Sequence, residues 1–307
     1  MCRVKDFALK TNQLTKQYKH NKALDNVNIH VKKGEIYGLI GMNGAGKTTL
    51  IRLLAGLIKP ESGKIEIFGE EVERKKEILR RRIGWLIESP SLYLNRTAYE
   101  NLEIERLHKG ISEKSSIDNA LKMVNLVDVK NKKTKEFSLG MKQRLGIAMA
   151  LLGDPQILIL DEPTNGLDPV GIADIRKMLQ NLNKNYGITI LISSHMLSEL
   201  YQLAGIYGIV HKGKLIEEIK LEELNNRCQK YIHIKTNEVQ NIVEMIKANF
   251  STNNYKIIGN SAINLYDDHL NINEISSFMH ENGIKFEGIL KKGESLEDYY
   301  LNLIEGK

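Results

Sequence analysis

Hydrophobic and polar positions fall into blocks of different period along the chain, and those blocks define its elements. Residues 35–41, Glu-Ile-Tyr-Gly-Leu-Ile-Gly, form a short apolar run entering a glycine-rich loop, as a buried strand does. From Thr49 to Leu57 the chain is rich in Leu and Ile and lacks Pro, then meets Gly56–Pro60, which predicts a helix and its end. Two further apolar, β-branched runs, Gln156–Leu160 and Ile188–Ser193, predict buried strands. Between them, Gly171–Leu182 places Ile172, Ile175, Leu179 and Leu182 on one helical face. Strands alternating with helices predict an α/β fold, its mostly parallel sheet covered on both faces.

From about residue 90 to 155 the pattern is wholly helical. Thr97 with Glu100 forms a capping box for a helix reaching about Lys109. Ile117, Ala120, Leu121 and Val124 mark a second amphipathic helix, and Ser138 is placed to cap a third that runs to Leu152. These helices read as an insert in the α/β core. The character changes at about residue 220, giving a main domain over 1–220 and an accessory α+β domain over 221–307. Lys220–Asn226 reads as a linking helix. After it come a strand (Tyr231–Thr236), a helix (Glu238–Asn249), two strands (Tyr255–Ile258, Ala262–Tyr266), a helix (Ile272–Asn282) and a strand (Lys285–Leu290). That order fits a small ferredoxin-like sandwich, with Ser295–Ile304 as a closing helix and Asp267-Asp268 and His269 as a turn.

With 307 residues, 42% hydrophobic and 27% charged, the chain can bury a core in both domains. No apolar run approaches the roughly 18 residues of a membrane span, and Met1–Tyr18 lacks the apolar stretch of a signal peptide. Cys2 and Cys228 supply neither a disulfide framework nor a metal site, so a reduced cytosolic protein is expected. Charge is uneven: residues 221–307 carry 9 Lys+Arg against 13 Asp+Glu, and residues 1–220 carry 35 against 25. The basic clusters Arg80–Arg82 and Lys130–Lys135 lack interleaved aromatics and read as solvated surface; no nucleic-acid partner is expected.

Candidate chemistry begins at Gly41-Met42-Asn43-Gly44-Ala45-Gly46-Lys47-Thr48, followed by Thr49. The glycines let backbone N–H groups turn onto phosphates, and the next helix adds its positive N-terminal end. Lys47 would neutralise the β- and γ-phosphates of ATP, and the Thr48 hydroxyl would bind Mg²⁺. Downstream, Ile157–Leu160 ends in Asp161-Glu162, two carboxylates at a strand end. Asp161 is suited to hold Mg²⁺ and Glu162 to orient or deprotonate the attacking water.

With Phe137-Ser138-Leu139-Gly140-Met141-Lys142-Gln143-Arg144, Asp161–Asp168 and Ser193-Ser194-His195 added, residues 8–220 resemble an ATP-binding cassette ATPase. The resemblance implies a P-loop NTPase core with a parallel sheet, an antiparallel β part and a helical insert. It implies that Tyr18 stacks on adenine and that His195 touches the γ-phosphate. It further implies that Ser138 and Gly140 reach the nucleotide held by a second copy, and that Asp168 communicates across that dimer. Two positions depart from the family pattern. The signature reads Ser-Leu-Gly-Met where Ser-Gly-Gly-Gln is usual, and Glu88 stands where most members carry a glutamine that contacts Mg²⁺.

Glu88, the signature and Thr97-Ala-Tyr-Glu-Asn-Leu look most like ATPase subunits of bacitracin-resistance and lantibiotic-immunity exporters. The resemblance implies ATP and Mg²⁺, a head-to-tail homodimer, separate integral-membrane permease subunits, and a place on the cytoplasmic face of the membrane. Coupling is expected near Glu88 and Ser89–Glu105, through Leu92, Tyr93 and Leu94. Export of another drug, a lipid or a polysaccharide fits the same residues, and a soluble cassette ATPase outside transport is the more distant reading.

Overall fold

In the computed structural model, residues 6–19, 21–72, 79–228, 230–250, 252–267, 269–293 and 295–305 are described. Contacts divide the chain into two compact units, residues 1–221 and 222–307. The first unit opens with β1 (Phe7–Tyr18), β2 (Asn21–Val27), β3 (His30–Lys32), β4 (Ile36–Ile40) and helix α1 (Lys47–Leu54). Next are β5 (Ser62–Ile67), the two-residue β6 (Glu70–Glu71) and β7 (Ile83–Leu86). Helices α2 (Ala98–His108), α3 (Ser115–Met123) and α4 (Leu139–Leu151) follow. The unit ends by alternation: β8 (Ile157–Asp161), α5 (Pro169–Tyr186), β9 (Thr189–Ser194), α6 (Leu197–Tyr201), β10 (Ile206–His211) and β11 (Lys214–Lys220).

The six-stranded sheet has the order β11-β10-β4-β9-β8-β7. Every pair in it is parallel except β10 with β11. All five residues of β4 and of β8, and all six of β9, are buried, which is why these strands read as unbroken apolar runs instead of alternating ones. A second, antiparallel sheet has the order β2-β1-β5-β6, with β3 also on β1. The main core gathers residues of both sheets with Leu50, Ile51, Leu53 and Leu54 of α1. Each such buried side chain contributes about 1.5–3 kcal/mol, so the helix that follows the glycine loop is anchored deep in the fold.

Several local readings hold in detail. Thr97 Oγ1 accepts from Glu100 N and the Glu100 carboxylate accepts from Thr97 N, closing the capping box on α2. Ser138 Oγ accepts from Met141 N and caps α4. Helix α5 is longer than its apolar stripe, because Asp168 caps it and Gly187, at φ 67°, ends it. Ile172 is only partly buried there, and Met178 joins Ile175, Leu179 and Leu182 on the inner face.

The second unit begins within α7 (Leu221–Cys228) and continues with β12 (Tyr231–Lys235), α8 (Val239–Asn249), β13 (Tyr255–Ile258) and β14 (Ala262–Leu265). It ends with α9 (Ile272–Glu281), β15 (Gly288–Lys292) and α10 (Leu296–Glu305). Its sheet, β13-β14-β12-β15, is antiparallel throughout and buries Ile232, Ile234, Ile263 and Leu265 against α8 and α9. The last strand starts later than Lys285–Leu290 predicts. Ile284 and Phe286 pack onto the core before pairing begins, and the Lys285 carbonyl accepts from Thr236 Oγ1. Asp268 of the expected turn lies outside the described residues.

Candidate active site

Parallel strands present their C-terminal ends along one edge, and that edge builds the site. Register pairs Asp161 of β8 with Ser193 of β9, and Ile40 of β4 with Ser194, so the chain leaving β4 emerges beside both. The glycine loop turns there at Gly44 (φ 80°) and Gly46 (φ 112°). Gly46 is needed for space as well as conformation, since a Cβ there would lie 2.6 Å from the Ala23 carbonyl. At Gly41 a Cβ would meet the Val210 carbonyl at 2.5 Å. Gly46 also stands at the N-cap of α1 and gives no side-chain cap, leaving the first-turn N–H groups for an anion.

These residues line a cavity of about 360 Å³, whose walls include Met42 to Thr49, Glu162, Asn21 to Ala23, Lys212 and Gly213. Lys47 is 5% exposed; its Nζ donates to the Gly41 carbonyl at 2.6 Å and lies 3.2 Å from Glu162 Oε1. Thr48 Oγ1 donates to Asp161 Oδ2 at 2.8 Å, and Ser193 Oγ donates to Asp161 Oδ1 at 2.6 Å. Ser193 Oγ in turn accepts the Glu162 N–H at 3.0 Å. Glu162 has φ 47°, a left-handed conformation that is strained for a non-glycine residue and aims its carboxylate between Lys47 and His195. His195 Nδ1 stands 2.7 Å from Glu162 Oε2. Burial pushes the Glu162 carboxyl upward, but the hydrogen bonds and charges of His195 and Lys47 outweigh it and hold that carboxyl below its ordinary range.

The predicted residues thus fall into groups. Gly41, Met42, Asn43, Gly44, Ala45, Gly46, Lys47, Thr48, Thr49, Asp161, Glu162 and His195 meet around the one cavity or in direct contact with its walls. Tyr18, at the end of β1, is 46% exposed with Lys16 Nζ over its ring. Ser138 and Gly140 begin α4 beside the segment ahead of α5, where Leu139 neighbours Gly166 and Leu167 neighbours Gly140. They are not among the walls of the phosphate cavity. Glu88 is not either: it is at φ 60°, and Arg52 Nη2 donates to its Oε1 at 2.6 Å. Its side chain faces a separate groove of about 890 Å³ between the core and the helical insert.

Ser193 is the participant that sequence reading left without a role; a hydroxyl closing an apolar strand two residues before His195 was its signal. Asn21 to Ala23, Lys212 and Gly213 carried no signal, because the start of β2 and the β10–β11 turn come to the loop only in the folded chain. Glu199 is another: its Oε2 accepts from Thr164 Oγ1 and Ser194 Oγ, tying together the segments that follow β8 and β9.

The arrangement suits a nucleotide with a divalent ion. Backbone N–H groups and a buried lysine face the cavity, and the Thr48 hydroxyl and Asp161 carboxylate are hard oxygen donors of the kind Mg²⁺ takes. The profile of the family described as "ABC transporter" matches residues 24–165. Over 298 residues the chain is 47% identical to the bacitracin transport ATP-binding protein BcrA of Bacillus licheniformis, covering 97% of each. It is 46% identical over 224 residues to the lantibiotic transport ATP-binding protein SrtF of Streptococcus pyogenes, covering 71% of this chain and 96% of that one. A solved dimeric ATP-binding cassette in a post-hydrolysis state, bound to ADP and Pi, superimposes with TM-score 0.62 at 29% identity, covering 69% of this chain and 98% of that one. The glycine cradle, the paired carboxylates and these likenesses together place the chain in the ABC transporter family, as an ATP-binding and ATP-hydrolysing cassette.

Proposed function

We propose that the chain is the ATPase subunit of an exporter that confers resistance or immunity to a peptide antibiotic, of bacitracin type before lantibiotic type. The observation that carries this is likeness along the whole length to a bacitracin transport protein, 97% of both chains, whereas the lantibiotic relative aligns over only 224 residues. The second unit is then part of what the bacitracin relative shares. A ferredoxin-like accessory role for residues 221–307, stabilising the dimer or regulating turnover, accompanies the proposal.

In this reading the loop N–H groups and Lys47 hold the phosphates, while Thr48 and Asp161 hold Mg²⁺, which supplies charge neutralisation. Glu162, kept ionised by Lys47 and His195, orients the attacking water and accepts its proton. Ser138 and Gly140 complete the site of a second copy, with their own α4 N-terminus pointing at the nucleotide that copy holds. Tyr18 stacks on the base. Integral-membrane partners dock on the groove beside Glu88, where Tyr93 is exposed along its wall. No described helix is long and apolar enough to cross a membrane; the reading places the subunit on the cytoplasmic face, against those partners.

The experiment is co-expression with the membrane proteins that co-purify with the chain, followed by growth in bacitracin and in a lantibiotic. Raised tolerance that disappears with Glu162→Gln supports the proposal. Unchanged tolerance to both, with ATP turnover intact, points to a different exported substrate.

A further inference from the structure

By the resemblance noted above, Glu88 stands where a neutral glutamine is usual, and the structure gives its charge a partner. Arg52 Nη2 donates to Glu88 Oε1 at 2.6 Å, and both side chains line the groove between core and helical insert. Arg52 sits four residues after Thr48 on α1. That spacing puts the two side chains on the same face of the helix, about 6 Å apart along its axis. One station on this face is the Thr48 hydroxyl, bonded to Asp161; the next, one turn further on, is the Arg52 guanidinium, bonded to Glu88.

We propose that Arg52 is a positioning residue for Glu88, holding its carboxylate on the groove side of α1 in competition with the metal-bound nucleotide at the Thr48–Asp161 end. This rests on the nucleotide reading given above. Three observations support exchange between the stations. The pair is open to solvent, 42% and 65% exposed for Arg52 and Glu88, so it is weak enough to break. Glu88 follows β7 with φ 60°, a conformation costly for glutamate and suited to a pivot. The pair also lies in the wall of the groove, so a change of partner alters the surface offered there. A glutamine at this position would form no ion pair with Arg52, so the competition belongs to chains with a carboxylate here.

Trp85, the single tryptophan of the chain, lines the same groove three residues before Glu88 and reports on it by fluorescence. The test measures ATP binding as a function of Mg²⁺, together with Trp85 emission before and after nucleotide, in wild type, Arg52→Gln, Arg52→Lys, Glu88→Gln and the double glutamine variant. Arg52→Gln is expected to lower the Mg²⁺ needed for half-maximal binding by about two- to fivefold, the worth of an exposed ion pair. Arg52→Lys keeps most of the wild-type requirement and emission. In the Glu88→Gln background, Arg52→Gln changes neither. An unchanged Mg²⁺ requirement in Arg52→Gln, or the same shift with and without Glu88, overturns the inference while leaving the nucleotide site standing. If wild type itself shows no Mg²⁺-dependent ATP binding, the nucleotide reading falls and the role of Arg52 falls with it.

Discussion

Ser193 and Asp161 face each other across neighbouring parallel strands, and Ser193 Oγ donates to Asp161 Oδ1 at 2.6 Å. The same oxygen accepts the Glu162 N–H, so one buried hydroxyl fixes the side chain of one carboxylate and the backbone of the next. Ser193 thus links the two acidic positions, while Thr48 holds the other oxygen of Asp161 and Lys47 and His195 hold the Glu162 carboxylate.

Ser193→Ala should leave Asp161 Oδ1 and the Glu162 N–H without this partner, at a cost of about 1–3 kcal/mol. For the unit that holds Ser193, residues 1–221, that lowers Tm by about 2–4 °C per kcal/mol, measured by thermal unfolding. ATP turnover should fall with it. An unchanged Tm would show that the hydroxyl does not organise the strand ends.

The bond between Glu162 and His195 has a pH signature. Glu162 titrates below its ordinary value of 4.5, because His195 and Lys47 together outweigh burial. A group with a lowered pKa gives stabilisation that is present above its unfolded value and is lost as pH falls through the folded one. Glu162 therefore remains a carboxylate near neutrality. Replacing His195 with Ala removes a bond and a charge that lower this pKa, so the acidic limb of the ATPase rate profile should move to higher pH. A limb that stays put or moves down contradicts the assignment.

Gly46→Ala brings a Cβ to 2.6 Å from the Ala23 carbonyl at a φ of 112°. Strain of this kind is worth about 1–3 kcal/mol, and relief requires moving the loop away from its cradle geometry. ATP affinity should drop about tenfold or more, taking about 1.4 kcal/mol per factor of ten. Equilibrium binding of a fluorescent ATP analogue measures it, with Gly187→Ala as a control at a positive-φ glycine whose Cβ meets nothing within 4 Å.

The head-to-tail arrangement is checked by mixing two defective chains. Lys47→Ala damages the loop and Ser138→Ala the α4 N-terminus, where Ser138 Oγ accepts from Met141 N. In a mixed head-to-tail dimer both defects fall in one site and the other site is whole. Turnover should reappear on mixing at well above the sum of the separate activities. Purely additive rates would mean that each chain hydrolyses ATP with its own residues alone.

Turnover by Glu162→Gln is expected to fall by about 10²–10⁴-fold, the range for loss of a positioned base, with ATP binding and dimerisation retained. Steady-state hydrolysis and size-exclusion chromatography in ATP measure both. Wild-type turnover in this variant would remove Glu162 from the mechanism.

The sequence by itself determined the parts whose signals are local. The glycine spacing from Gly41 to Thr48 needs only backbone freedom and the start of α1, and the Thr97–Glu100 box needs only one helical turn. Unbroken apolar runs at Ile36–Ile40 and Ile157–Leu160 marked buried parallel strands, because strands covered on both faces lose their alternation. Tertiary structure alone decided how these pieces meet. Strand order put β9 between β4 and β8, which made Ser193 the neighbour of Asp161. Folding brought Arg52 to Glu88 across 36 residues of chain, making Glu88 one half of an ion pair. It also set Ser138 and Gly140 outside the phosphate cavity, at the start of α4. Local patterns report helices and turns because their bonds span a few residues; register and charge pairing depend on distances that chain order does not encode directly.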